Sequence, residues 1–79
     1  MNVRVLFFGA TAEETGNRTI ELALDENSHA KTAYEKILDR FPQLKKHRLL
    51  LAVNQEYVAS DSQLKDGDEL AIFTAVSGS

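Results

Sequence analysis

Apolar side chains fall at alternate positions in Asn2–Phe8, where Val3, Val5 and Phe7 share one face and Arg4, Leu6 and Phe8 share the other. This β-branched and aromatic stretch predicts a strand. Gly9, Gly16 and Asn17 punctuate the next segment, which has room for a short helical turn across Ala12–Thr15. Alternation returns in Arg18–Leu24: Ile20, Leu22 and Leu24 face one way, Thr19 and Glu21 the other. That predicts a half-buried strand hairpinned to the first. The period then changes. Ala30, Ala33, Tyr34, Ile37, Leu38 and Phe41 stand at i, i+3, i+4, i+7, i+8 and i+11, one stripe of a helix. Asn27 or Ser28 is expected to cap its start. Pro42 is expected to close it, because the residue before a proline disfavours helical backbone.

Beyond Pro42, Gln43–Arg48 reads as a polar connector. Leu49–Asn54 is a continuous apolar run, which predicts a central strand covered on both sides. Asn54-Gln55-Glu56 turns the chain, and Tyr57-Val58 begins a short return strand. A loop over Ala59–Asp68 ends in the turn signal Asp66-Gly67-Asp68. Glu69–Thr74 is the last strand, with Leu70 and Ile72 on one face and Ala71 and Phe73 on the other. The order β-β-α-β-β-β predicts an α+β domain of the β-grasp, or ubiquitin-like, kind: a mixed sheet with one main helix packed on one face. Residues 1–74 form this domain, and 75–79 are expected to be a flexible tail. The expected core is Val5, Phe7, Ile20, Leu22, Ile37, Leu38, Leu51, Val53, Leu70 and Ile72.

Composition narrows the chemistry. The chain has 79 residues and no cysteine, which removes disulfides, thiolate nucleophiles and sulfur-ligated zinc. A net charge of −3 argues against nucleic acid or an anionic membrane as partner. No apolar run approaches the ~18 residues of a membrane span. The N-terminal stretch is too short and strand-like for a signal peptide, so the cytoplasm is the expected compartment. No metal site is expected. His29 and His47 lack ligand spacing and read as solvated surface residues. Asp66-Gly67-Asp68-Glu69 lacks calcium-loop spacing and reads as a turn. Lys45–Arg48 reads as a solvated basic loop. Glu13 and Glu14, adjacent on a helical turn, point apart and make a poor acid/base pair.

Two features remain. One helix covers one sheet face, yet Leu6, Phe8, Tyr57 and Phe73 fall on the other. An exposed apolar cluster of this kind marks a partner surface, unless the register is shifted and some of these side chains are core. The chain then runs through Ala75, Val76, Ser77, Gly78 and Ser79. Small residues at this end suit insertion into a narrow channel, and a terminal carboxylate can be activated by adenylation. A frayed end is the other reading.

Four stretches carry a family resemblance: VRVLFFGATAEETG, LLLAVNQEYV, LKDGDELAIF and the tail VSG. In this order and spacing the chain resembles the small subunits of molybdopterin synthase, which are ubiquitin-like sulfur carriers. DGDE before a strand also occurs in thiamine-pathway sulfur carriers. The resemblance implies that an adenylating enzyme, similar to ubiquitin activators, uses ATP to form an acyl-adenylate at the C-terminus, and that sulfur transfer then gives a thiocarboxylate. No cofactor is expected on this chain itself, and ATP belongs to the activating partner. The tail would enter the large subunit of the synthase, which supplies the catalytic residues; this chain would be the non-catalytic sulfur-donor subunit in molybdenum cofactor biosynthesis. The resemblance places docking on Phe8, Tyr57 and Phe73, with Ala75, Val76 and Ser77 in the channel and Gly78 and Ser79 at the reacting end. The chain departs from the family pattern at Thr74-Ala75, where two prolines are common, and at Ser79, where the family ends in glycine. That last departure keeps two alternatives in play: a non-catalytic ubiquitin-like binding module, or a sulfur carrier for another pathway such as thiamine.

Overall fold

A computed structural model describes residues 1–59 and 61–74. Chain order is β1 (Asn2–Phe7), α1 (Ala10–Thr15), β2 (Thr19–Ala23), α2 (Ala30–Arg40), a 3-10 helix (Pro42–Lys46), β3 (Leu49–Val53), β4 (Glu56–Tyr57) and β5 (Glu69–Thr74). Among the described residues the strands form one mixed sheet in the order β2-β1-β5-β3-β4. The first and second strands make the expected antiparallel hairpin, with Val5 opposite Ile20. The first and last run parallel, with Val5 opposite Leu70 and Phe7 opposite Ile72. This is the β-grasp arrangement the hydrophobic pattern predicts.

The register puts Val3, Val5, Phe7, Ile20, Leu22, Leu70 and Ile72 on the face that α2 covers, and all are buried. Ala33 and Ile37 come down from α2 to meet them, and the Phe7 and Phe41 rings meet edge to face at 5.6 Å. Of the expected core, Leu38, Leu51 and Val53 are only partly buried, although they pack against it.

Several local expectations need correction. The short helical turn is a six-residue helix that starts at Ala10 and ends on Gly16, whose φ of 70° is the left-handed conformation glycine adopts without strain. Neither Asn27 nor Ser28 caps α2. His29 precedes that helix without a side-chain cap bond, and the Ser28 hydroxyl donates to the Asp25 carbonyl at 2.7 Å. The supposed polar connector is partly the 3-10 helix, and it drives Leu44 fully into the core. Leu64, in the predicted loop, is buried as well. Leu49–Val53 is not central, since only the two-residue β4 lies beyond it.

His47 is not a freely solvated residue. Its Nε2 lies 3.3 Å from Glu14 Oε1, and Lys46 Nζ reaches the same oxygen at 3.2 Å. Gln43 Nε2 also donates to the Glu14 carbonyl at 2.9 Å, so one α1 residue fastens the 3-10 helix to the first helix. Hydrogen bonds from His47 and then Lys46 hold the Glu14 carboxyl below its ordinary pKa. A depressed carboxylate contributes stability above its unfolded pKa and loses it as pH falls through the folded value. Glu14→Gln should therefore lower the thermal midpoint at neutral pH and leave it unchanged well below pH ~4. Equal midpoints for the two proteins across the pH range would show that the clasp contributes nothing, as happens for many exposed ion pairs.

No helix among the described residues is long and apolar enough to cross a membrane.

Candidate functional site

The sheet face opposite α2 is built by alternation. Each strand that sends Val5, Leu70 or Leu51 into the core sends its neighbours outward. From β1 come Leu6 and, just past its end, Phe8. From β5 come Ala71 and Phe73, and from β3 Leu50 and Ala52. Pairing brings them side by side: Leu6 is opposite Ala71, Leu50 opposite Phe73, and Ala52 between Ala71 and Tyr57. The Tyr57 and Phe73 rings meet at 5.7 Å with their planes 64° apart, an edge-to-face contact. A shallow depression of about 370 Å³ is bounded by Leu6, Phe8, Ala52, Tyr57, Ala71 and Phe73, with Gln55 and Glu69 at its polar margin.

Exposure separates this cluster from the core. Phe8 keeps 51% and Tyr57 71% of its accessible surface, Phe73, Leu6 and Leu50 are half-buried, and the small Ala52 on the same face is buried. The register that would have moved these rings inward is not the one adopted. The three aromatic positions expected to dock a partner thus lie together on one face. Leu50, Ala52 and Ala71 complete it, and sequence reasoning does not single them out. Their signal lies in the outward positions of LLLAVN and ELAIF, hidden because the inward positions of LLLAVN are apolar as well.

The face gives way to charge at its far end. Arg4 stands opposite Glu21 on one side and Glu69 on the other. Apolar centre and charged margin together have the anatomy of a protein-docking surface.

At the opposite end the sheet hands over to α1. The buried Thr11 hydroxyl lies 2.7 Å from the Phe8 carbonyl and 3.0 Å from that of Ile72, and shares its proton between them. The Phe8 amide also donates to the Ile72 carbonyl at 3.1 Å. Past Ile72, Phe73 and Thr74 pair with β3 and, among the described residues, with no other strand. The residues expected at the reacting end and in the channel, Ala75, Val76, Ser77, Gly78 and Ser79, lie outside the described residues. Among the described residues no cluster of acidic, histidine or cysteine side chains can hold a metal ion.

Comparison with known proteins bears on the family and the fold. The family model described as the ThiS family matches residues 5–78. The molybdopterin synthase sulfur carrier subunit of Escherichia coli is 38% identical, with 96% of this chain and 98% of that protein covered. In structure the chain is similar to SAMP1 from Haloferax volcanii, with a TM-score of 0.89 at 25% identity and full coverage of both chains. It shares its fold with a chain of the protein–protein complex of subunits 1 and 2 of the molybdopterin-converting factor from Helicobacter pylori, at a TM-score of 0.69, 23% identity and full coverage of both. With a family model spanning nearly its whole length and a full-length relative above 30% identity, the chain belongs to the ThiS family of ubiquitin-like sulfur carriers.

Proposed function

We propose that this protein is the sulfur carrier subunit of molybdopterin synthase, acting in the cytoplasm as the non-catalytic partner of a large subunit. One observation carries the reading furthest: an uncovered apolar face, Phe8, Tyr57 and Phe73 at its centre, on a chain of this family. Burial of such a face against a large subunit would remove an exposed apolar cluster that a free-standing monomer has no use for. The Helicobacter pylori complex, which shares the fold, supports pairing with a second subunit.

In this reading the same face presents the chain to an adenylating enzyme. The terminal carboxylate attacks the α-phosphate of ATP and releases pyrophosphate. Sulfide then attacks the acyl carbon and displaces AMP, and the thioacid loses its remaining proton to leave a thiocarboxylate. Gly78 and Ser79 form the reacting end, and Ala75, Val76 and Ser77 lie in the partner's channel. The chain itself holds no cofactor. A serine at the last position adds a β-carbon and a hydroxyl where the family has glycine, so a channel shaped for glycine should slow the chemistry.

The test is intact-mass analysis after incubation with the adenylating enzyme, ATP and a sulfide source, on the native chain and on Ser79→Gly. One terminal oxygen replaced by sulfur is the expected product, formed faster in Ser79→Gly. A chain purified from its host with sulfur on Gly78 would move the reacting carboxyl back by one residue. If neither protein acquires sulfur while an authentic sulfur carrier does so under the same conditions, the carrier reading fails.

A further inference from the structure

Tyr57, the most exposed ring of the docking face, sits on the weakest piece of the sheet. The fourth strand is two residues long and pairs with β3 only through Ala52–Tyr57 and Val53–Glu56. The turn that delivers it holds two non-glycine residues at positive φ, Asn54 at 50° and Gln55 at 73°. Such a hairpin is marginal by itself, so something else must fix where Tyr57 points.

The fixing groups are Asn54 and Asp68. Asn54 binds the start of β5 three times. Its amide donates to the Glu69 carbonyl at 2.8 Å, its Oδ1 accepts from the Glu69 amide at 3.1 Å, and its Nδ2 donates to Asp68 Oδ1 at 3.1 Å. Asp68 is held in turn. Its Oδ2 accepts from the Lys65 amide at 2.8 Å, and its carbonyl accepts from the Arg4 amide at 2.9 Å. The hairpin is thereby tied to the turn before β5 and, through Arg4, to the first strand.

These side-chain bonds lie at the surface, where water competes and each adds little to global stability. Their effect is geometric. We propose that Asn54 and Asp68 are positioning residues for partner docking, holding the β3–β4 hairpin so that Tyr57 meets Phe73 on the uncovered face. The inference rests on the reading of that face as the surface that binds the large subunit.

The donor and acceptor arrangement allows a sharp test. Asn54→Asp places two carboxylates together with no donor between them. Asp68→Asn presents an amide where either Asn54 Nδ2 or the Lys65 amide loses its acceptor. Combining the two substitutions restores every bond with the same net charge. The new carboxylate at position 54 accepts from the Glu69 amide and from the new amide at position 68, whose oxygen accepts from Lys65.

Affinity for the molybdopterin synthase large subunit of the same organism is measured by calorimetry. Each single variant is expected to weaken binding about tenfold and the double swap to return within about threefold of the native value. In a Tyr57→Ala background, Asn54→Asp should have no further effect, because the residue it acts through is gone. An equal loss with and without Tyr57, or no loss in either single variant, would overturn the positioning role. If Tyr57→Ala and Phe73→Asp both leave large-subunit binding intact, the docking reading itself fails and this inference falls with it.

Discussion

Phe73→Asp is expected to weaken binding to the molybdopterin synthase large subunit by about 100-fold or more while leaving the circular dichroism spectrum unchanged. Phe73 stands on the uncovered apolar face, opposite Leu50 and against the Tyr57 ring. A carboxylate there must be stripped of water when a partner closes over it. The loss of the aromatic contact costs the free protein only about 0.5–1.5 kcal/mol, because the side chain is half-buried and points away from the core. Calorimetry checks the affinity, and circular dichroism with a thermal melt checks the fold. Phe8→Asp, at a more exposed position, provides the same charge with still less structural cost. Native affinity in both folded variants would show that the partner binds elsewhere.

How far such a surface can be read from the sequence differs from strand to strand. The first strand is legible because its inward and outward positions differ: Val3, Val5 and Phe7 alternate with a set that includes Arg4. Given a hairpin and a neighbouring last strand, Phe8 and Phe73 must share a face. LLLAVN misleads because both of its faces are apolar for different reasons. Leu49, Leu51 and Val53 pack against the core. Leu50 and Ala52 lie on the opposite, uncovered face. Period-2 reasoning cannot separate a face covered by a helix from an apolar face that the fold leaves uncovered.

The remaining misses are tertiary. Leu44 looks polar in context because its neighbours are Gln43, Lys45 and Lys46, yet a single 3-10 turn after Pro42 is enough to point it inward. Ser28 has the chemistry of a cap, but its hydroxyl is committed to Asp25 one turn earlier. The role of Glu14 depends on residues about thirty positions away, which no local pattern reveals.

Ile72→Ala should cost about 2–5 kcal/mol of stability, against about 0.5–1.5 kcal/mol for Ile72→Val. Ile72 is fully buried, lies between Phe7 and Leu51 in the sheet, and belongs to a central strand. A 79-residue domain has a total stability on the order of 4–12 kcal/mol, so the alanine variant can lose half of it. Its thermal midpoint should fall by at least about 10 °C. The backbone carbonyl of Ile72 still accepts from Phe8 and Thr11, so the strand that remains folded keeps its outward residues in place. Ile72→Ala is therefore expected to bind the large subunit with near-native affinity once the unfolded fraction is allowed for, and excess large subunit should raise its midpoint by mass action. Phe73→Asp should behave in the opposite way, stable and unable to bind. Two adjacent residues of one strand then separate folding from docking. If the two variants exchanged these properties, β5 would be shifted by one residue, because a one-residue slip turns every side chain of a strand to the other face.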